Sequence, residues 1–372
     1  MPRKNLADAM SANNNEFYTL LSVIEQELVN YKEKFEGKVV FCNCDDPFES
    51  NFVKYFLMHF NGLKLKELIA TGYQTSPVGG KEISTGNRFV PYALRVTSTQ
   101  KYLLGTQKDL DGRTAQYFLE TEGKKIMTPL SGDANHLAGD FRSKESIQLL
   151  QEADIVCTNP PFSLFREYIP FLLENNKKFL VLGPLNATSY KEIFPLLKEN
   201  EIWWGINNGS KEYIASVNYA ATNPNKVTMK NGIYYTKMGN TVWYTNIDHA
   251  KRHTLMPHKL GHTYYGHESS YPKFDNFDAI CVRKVDDIPA DFTEYMGVPT
   301  SFLNVYCPEQ FEIIDGLNRY AIFDSQNTNA RVRNMKSHNC NVKGKATFFK
   351  IIIKYRDSYI KEHPEQFIRS DD

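Results

Sequence analysis

The sequence predicts an α/β protein with a Rossmann-like, mostly parallel sheet, and two observations point to that class. In the first half of the 372-residue chain, short apolar runs alternate with amphipathic stretches of helical period. Strands that alternate with helices in this way form parallel sheets covered on both faces. The second observation is the corner Asn159-Pro160-Pro161-Phe162, which follows a predicted strand where open parallel sheets bind their ligands.

The individual elements are predicted from hydrophobic period and from end signals. Aromatic residues recur at helical spacing in the second helix, and Asn14 or Asn15 is the expected N-cap of the first. The strands are short apolar runs bounded by polar or turn residues. The predicted helices are residues 16–35, 49–60, 143–153, 163–175 and 188–200, and the predicted strands are 38–43, 65–73, 154–159, 177–183, 201–206, 241–248 and 346–356.

The alternation is interrupted once and then fades. Residues 76–131 are rich in Gly, Thr and aromatic residues, with β-like segments RFVPYALRV and AQYFLE, which predicts an inserted β-rich segment or an elaborated edge. Beyond residue 250 the pattern gives way to loops rich in His, Pro and aromatic residues. We therefore expect one domain over residues 1–250 and a second region over 251–372.

Composition limits the class of protein and its surroundings. Apolar residues make up 41% and charged residues 23%, which is typical of a globular protein. The net charge of +1 means that a polyanion would have to be bound by a local patch. No apolar run reaches the ~20 residues that span a bilayer, and the first ten residues lack a secretory signal. With six scattered cysteines, we expect a reduced, cytoplasmic protein without membrane contact.

The Asn-Pro-Pro-Phe corner has the properties of a binding site for a planar amine. Pro160 and Pro161 have no N–H group, so this backbone cannot extend a sheet, and proline holds the residue before it extended. The corner therefore presents the Asn159 side-chain oxygen and the Pro160 carbonyl as neighbouring acceptors, with Phe162 as a flat face. Two acceptors and a ring suit a planar heterocycle that carries an exocyclic amino group.

These residues also carry a family resemblance. Asp/Asn/Ser-Pro-Pro-aromatic resembles the signature of amino-group methyltransferases that use S-adenosylmethionine. An ordered set of segments, from about residue 15 to the last strand, resembles the EcoRI-type adenine-N6 DNA methyltransferases. The segments are NNEFYT, KVVFCNCDDPFESNFVKYF, GDFRSKESIQLLQEADIVCTNPPFSLFREYI, ESSYPKFDNFDAI, MGVPTSFL and PEQFEII.

The resemblance implies a seven-stranded methyltransferase sheet, S-adenosylmethionine as the cofactor, no metal, and an adenine flipped out of double-stranded DNA. It implies that Asn159 and the Pro160 carbonyl bind the adenine amino group and that Phe162 stacks on the base. Residues 1–250 would be the catalytic domain and 251–372 the target-recognition region. It further implies a short A-containing palindrome such as GAATTC as the target. We interpret the protein as a monomer that is either the modification enzyme of a restriction-modification system, with the endonuclease as a functional partner, or an orphan or phage enzyme.

The cofactor site is also assigned by resemblance. Phe17, Tyr18 and Thr19 match the segment that packs over the methionine end of the cofactor, although an ordinary start of an amphipathic helix is the alternative. Asp45 and Asp46 close the first strand, in a loop where other methyltransferases have a Gly-rich turn.

The adenine end of the cofactor is assigned to a second loop. Asp140 is placed to accept from the cofactor amino group, with Phe141 against its ring. The alternative for Asp140 is a helix N-cap. After the second strand only Thr71 and Tyr73 are polar candidates, so the ribose-binding residue stays unassigned.

A basic stretch near the C-terminus is the candidate DNA-binding surface. Between Asp324 and Asp357 there is no acidic residue. Such a run suits phosphate contacts, and Arg side chains read guanine in the major groove; a solvated basic loop is the alternative. The candidates are Arg331, Arg333, Lys336, Lys343 and Lys345.

Other functions also fit parts of the sequence. A methyltransferase that acts on RNA adenine or on a protein glutamine would use the same corner, and a catalytically inactive DNA-binding protein is a second alternative. Five histidines between residues 249 and 267 resemble a zinc site but lack accompanying cysteines, so we interpret them as a polar loop or a rim facing DNA.

Overall fold

The computed structural model describes residues 18–48, 50–73, 91–97, 115, 117–215, 217–257, 262–275, 278–317 and 341–367. The chain divides into two compact units. The first consists of Met1–Leu185 and Gly205–Ile247, and the second of Asn186–Trp204 and Asp248–Asp372. The predicted N-caps Asn14 and Asn15 and most of the 76–131 stretch lie outside the described residues.

The first unit contains the alternating elements. Its strands are β1 Tyr18–Thr19, β2 Val39–Cys42, β3 Glu67–Thr71, β4 Tyr92–Thr97, β5 Met127–Pro129, β6 Ile155–Thr158, β7 Lys178–Pro184, β8 Lys211–Ala215, β9 Val227–Lys230, β10 Ile233–Met238 and β11 Thr241–Thr245. Its α-helices are α1 Leu21–Leu28, α2 Asn51–Met58, α3 Lys144–Glu152, α4 Phe165–Glu174 and α5 Val217–Thr222.

Seven strands of this unit lie side by side in one sheet, in the order β5-β4-β3-β2-β6-β7-β11. The pairs β3/β2, β2/β6 and β6/β7 are parallel. Every residue of β2, β3 and β6 is buried, as expected for strands covered on both faces. The α/β class is confirmed.

The outer strands make the sheet mixed rather than mostly parallel. Antiparallel pairs join β3 to β4, β4 to β5 and β7 to β11. Crossover helices are needed only between parallel neighbours, which here are the four central strands. An antiparallel neighbour needs no such helix, so the alternation of strands and helices in the sequence does not predict it.

Two local predictions were wrong. The segment predicted as one helix over residues 16–35 begins with the strand β1, followed by α1 and a 3₁₀ turn Val29–Phe35. The segment AQYFLE, predicted as β, is helical where it is described, because Phe118 and Leu119 are buried with Ala115 at spacings of three and four residues. In the first case sheet pairing with β8 overrides the local helical pattern.

A second, antiparallel sheet in the first unit has the order β1-β8-β10-β9. Asn231 and Gly232 connect β9 to β10 with φ values of 50° and 79°, the positive values that a tight two-residue hairpin requires. In the register of this sheet Thr19 lies opposite Tyr213. The sheet therefore holds the backbone of Thr19 from one side.

The core between the helices and the large sheet is aromatic. Phe35 meets Phe56 edge to face at 5.3 Å, and Phe52 meets Trp243 at 6.0 Å. One charged group lies inside this core. The Glu27 carboxylate is fully buried and accepts hydrogen bonds from backbone N–H groups that follow Gly205, at 2.8 and 2.7 Å. Burial raises the pKa of Glu27, and these hydrogen bonds offset part of that rise.

The second unit has a four-stranded sheet in the order Ile280–Cys281, Met296–Pro299, Lys350–Tyr355, Phe311–Leu317. A separate hairpin pairs Asn341–Val342 with Lys345–Ala346. The described residues of this unit also form the short strand Trp203–Trp204 and the α-helices Phe194–Lys198, Asp357–Glu362 and Pro364–Phe367. In neither unit does a described helix have the length and apolar character needed to cross a membrane.

Candidate active site at the strand ends

The candidate site lies at the carboxyl ends of β2, β3 and β6. The chain runs from β2 to β3 on one side and to β6 on the other, which makes this edge the switch point of the sheet. A fourth segment, residues 139–142, closes against the end of β3. Gly139 has a φ of 76°, and a Cβ there would lie 1.9 Å from the Gly72 carbonyl oxygen. Only glycine permits this approach.

Asn159 follows β6 and is half-buried. Its Nδ2 group donates to the Thr19 hydroxyl oxygen at 3.4 Å. Its Oδ1 atom is buried and receives no hydrogen bond from a described residue. A buried acceptor without a partner costs about 1–3 kcal/mol. The corner therefore contains an oxygen that is arranged to accept a hydrogen bond from a ligand.

Pro160, Pro161 and Phe162 form the rest of the corner. Pro160 is buried, and among the described residues none donates to its carbonyl oxygen. The Pro161 carbonyl instead accepts from the Leu164 N–H at 3.0 Å and starts the 3₁₀ turn Phe162–Leu164. Phe162 is 37% exposed. Its ring is thus available to a bound molecule.

Asp45 connects the ends of β2 and β6. Its carboxylate accepts from the Ser50 hydroxyl at 2.6 Å and from the Thr158 hydroxyl. The Thr158 hydroxyl oxygen in turn accepts from the Cys44 N–H at 3.2 Å. Burial raises the pKa of Asp45 to about 6, although the hydrogen bonds from Ser50, Thr158 and the Asn159 N–H oppose the rise. Both carboxylate oxygens are engaged inside the protein.

Asp46 closes the same loop in a different way. Its Oδ1 atom accepts from the Phe48 N–H at 2.9 Å, and its side chain lies beside Gly72. Ser50 then caps α2 by accepting from the Phe52 N–H at 3.0 Å, a contact worth ~1 kcal/mol. An Asp turn and a Ser cap therefore shape the loop between β2 and α2.

Asp140 and Phe141 are both held by neighbouring side chains. The Asp140 carboxylate accepts from the Arg142 backbone N–H and from its guanidinium at 2.9 and 2.8 Å. Burial alone would raise the pKa of Asp140, but the hydrogen bonds and charge of Arg142 lower it below its usual range. Phe141 packs edge to face on Tyr168 at 5.0 Å. The N-cap of α3 is Ser143, so Asp140 does not cap that helix.

Three contacts were missed by sequence reasoning. Thr158, the last residue of β6, binds Asp45; Tyr168 donates to the buried Asn43 at 2.5 Å; and Asn51 donates to the Thr19 carbonyl at 2.7 Å. A polar residue that ends a predicted buried strand, such as Thr158, is a signal that could have been used. The other two join distant segments and leave no local pattern.

The remaining predicted site residues fall into two groups. Tyr18 pairs with Ile214 in the small sheet, and Lys343 and Lys345 are exposed on the hairpin of the second unit. The Lys343 N–H donates to Asp275 at 2.9 Å. Phe17, Arg331, Arg333 and Lys336 lie outside the described residues.

The described histidines and cysteines are possible metal ligands by residue type. His249 contacts the Trp204 carbonyl at 3.0 Å, and His253 lies between Asp248 and Glu309 at 2.9 and 2.8 Å. Within the part of the chain that the structure describes, no three His, Cys, Asp or Glu side chains are grouped to hold a metal ion. The cysteines at positions 42, 44, 157, 281 and 307 are free thiols.

Comparison with known proteins matches nearly the whole chain. The profile of a family described as "Adenine-specific methyltransferase EcoRI" matches residues 5–356. Type II methyltransferase M.MpnI of Mycoplasma pneumoniae is 39% identical over 357 residues, 95% of this chain and 98% of the relative. Type II methyltransferase M.EcoRI of Escherichia coli is 38% identical over 362 residues, 94% of this chain and 96% of the relative. No solved structure matches.

Together with the Asn-Pro-Pro-Phe corner, these matches define the class of protein, which is a site-specific DNA methyltransferase that acts on adenine. The sequence prediction of that activity is confirmed, and the alternatives of an RNA or glutamine methyltransferase or an inactive DNA-binding protein are not favoured. The chain belongs to the family of the adenine-specific methyltransferase EcoRI.

Proposed function

We propose that the corner at Asn159 binds an adenine turned out of duplex DNA and directs a methyl group to its N6 atom. The supporting observation is the buried Asn159 Oδ1 atom, to which no described residue donates. The Pro160 carbonyl is a second acceptor, and an exocyclic amino group has two N–H donors to match. Stacking on Phe162 recovers part of the cost of base flipping, roughly a few kcal/mol.

The same contacts assist the chemistry. The lone pair of adenine N6 is delocalised into the ring, so the nitrogen is a poor nucleophile. Hydrogen bonds to Asn159 and the Pro160 carbonyl favour a more tetrahedral nitrogen and stabilise the positive charge that develops on it. Holding the base in line with the methyl donor can lower the barrier by up to about 7–11 kcal/mol. The methylated amine then loses a proton to solvent, so the site needs no strong base.

We further propose S-adenosylmethionine as the methyl donor, which when bound supplies a methyl group already activated on a sulfonium. The residues at the strand ends fit the amino and hydroxyl groups of such a molecule. The Thr71 hydroxyl is buried and bonded by no described residue. Asp46 and Asp140 provide carboxylates, and Asp140 Oδ2 keeps a lone pair after its bond to Arg142. Because these residues lie at the carboxyl ends of parallel strands, we assign the large sheet to the Rossmann-like methyltransferase type.

We propose that residues 1–250 form the catalytic domain and that the region 251–372 recognises the DNA sequence. Lys343 and Lys345 are exposed, and residues 325–356 contain no acidic side chain, which suits phosphate contacts. The resemblance favours a short A-containing palindrome such as GAATTC, a monomeric enzyme and a restriction endonuclease as functional partner.

The adenine site is tested with Asn159→Ala. We expect methyl transfer from labelled S-adenosylmethionine to duplex DNA to be lost, while calorimetry shows unchanged cofactor binding and anisotropy shows unchanged DNA binding. Asn30→Ala is the matched control, because Asn30 is exposed and bonds only within its own helix region. Full activity of Asn159→Ala would refute the assigned role.

The DNA motif and the class of substrate are tested separately from the role of Asn159. Long-read detection of N6-methyladenine in DNA of an expressing host should show one short motif methylated throughout. RNA and protein from the same host, incubated with labelled cofactor, should stay unlabelled. Label in RNA or protein alone would refute DNA as the substrate.

A further inference from the structure

We infer that Thr19 is a positioning residue for Asn159, acting on the adenine through the Asn159 amide. The inference rests on the proposed binding of adenine by Asn159. It differs from the role that the family resemblance implies, in which Thr19 belongs to the cofactor site. The observation is the hydrogen bond from Asn159 Nδ2 to the Thr19 hydroxyl oxygen, formed across 140 residues of chain.

An asparagine in this position needs a partner behind it. The amide has an acceptor end and a donor end of nearly the same shape. Only the acceptor end can bind the adenine amino group, because the other orientation places two donors face to face. When Oδ1 faces the base, Nδ2 points into the protein, and without a partner it would be a buried donor left unpaired.

Thr19 is suited to be that partner because its own position is fixed. The residue is 6% exposed, and its backbone lies opposite Tyr213 in the small sheet. Its carbonyl accepts from the side chain of Asn51, the first residue of α2, at 2.7 Å. Two elements therefore hold the Thr19 hydroxyl behind the amide, at 3.4 Å from Nδ2.

The contact also contributes during methyl transfer. As positive charge develops on adenine N6, the Asn159 oxygen is drawn toward it and the N–H groups of the amide become stronger donors. Thr19 accepts one of these N–H groups, and hydrogen bonds in such a chain reinforce each other. Thr19 should therefore affect the rate of methyl transfer rather than the affinity for the cofactor.

The test is Thr19→Val, which removes the hydroxyl and keeps the shape, beside Thr19→Ser, which keeps the hydroxyl. We expect Thr19→Val to slow single-turnover methyl transfer about threefold to tenfold at saturating cofactor. The Kd of S-adenosylmethionine by calorimetry should stay unchanged, and Thr19→Ser should restore most of the rate. The matched control is Thr236→Val, on the same sheet, where the lost hydroxyl bonds only to the Lys226 carbonyl at 3.0 Å.

The same substitutions in an Asn159→Asp background add a coupling measurement. A carboxylate has no N–H, so the Thr19 hydroxyl can then only donate to it and no longer accepts a hydrogen bond from residue 159. We expect the loss of rate caused by Thr19→Val to differ between the two backgrounds, and an equal loss in both would contradict the inference.

Three results would overturn the inference within the natural background. These are a raised Kd for the cofactor with an unchanged rate, an unchanged rate and Kd, or a loss that Thr19→Ser does not restore. Failure of the proposed function is distinguishable, because Asn159→Ala would then remain active whatever Thr19→Val does.

Discussion

Asp45→Asn is expected to remove a pH-dependent cost from the folded protein. The Asp45 carboxyl is buried, and its pKa is raised from the ordinary 3.8 to about 6. Its hydrogen bonds from Ser50 and Thr158 only partly offset the loss of water. Asparagine has nearly the same shape as the protonated acid and cannot ionise. The acceptor that it loses changes stability equally at every pH, so the pH-dependent difference isolates the effect of the charge.

The magnitude follows from the change in pKa. A rise from 3.8 to about 6 corresponds to about 3 kcal/mol, at about 1.36 kcal/mol per pKa unit. Because the folded state binds this proton more tightly than the unfolded state, the stabilisation is complete below pH 3.8 and is lost as the pH rises through about 6. The wild-type protein should therefore lose up to ~3 kcal/mol relative to Asp45→Asn across this window.

The measurement is urea unfolding followed by circular dichroism at several pH values from about 4.5 to 7.5. The difference in unfolding free energy between the wild type and Asp45→Asn should change steadily with pH and level off above about pH 7. Glu174→Gln, a change at an exposed carboxylate on α4, is the control and should give parallel curves. Parallel curves for Asp45→Asn as well would refute the reasoning.

Three other outcomes are expected. Gly139→Ala should destabilise the folded protein by at least ~1–2 kcal/mol, because residue 139 has a positive φ of 76° and a Cβ there would contact Gly72. The melting temperature should fall accordingly, and calorimetry should show weaker cofactor binding. Glu27→Ala should destabilise by roughly 3 kcal/mol in urea unfolding, since it leaves two buried N–H groups unpaired, and Glu27→Gln should recover part of this. Lys343→Glu with Lys345→Glu should weaken DNA binding and reduce its log–log salt slope by about one per lysine in anisotropy titrations, whereas an unchanged slope would exclude both lysines from the interface.

Local chemistry explains which parts of the fold were predictable. The strand β6 and the corner after it follow from a short apolar run and two prolines, whose effect on the backbone needs no other part of the chain. The helices α2, α3 and α4 follow from the spacing of their buried side chains. The strand β1 was missed because two residues beside a helical pattern form a strand only when β8 pairs with them.

The sequence by itself determined the α/β class, the family and the position of the Asn-Pro-Pro-Phe corner. Only the tertiary structure decided what surrounds that corner. Thr19 lies 140 residues from Asn159 along the chain, and Asp45 lies 113 residues from Thr158. The Asp45 contact arises because parallel strands bring their carboxyl ends to one edge, and the Thr19 contact arises because an antiparallel sheet holds β1 near that edge. No local period or spacing records which side chains meet there.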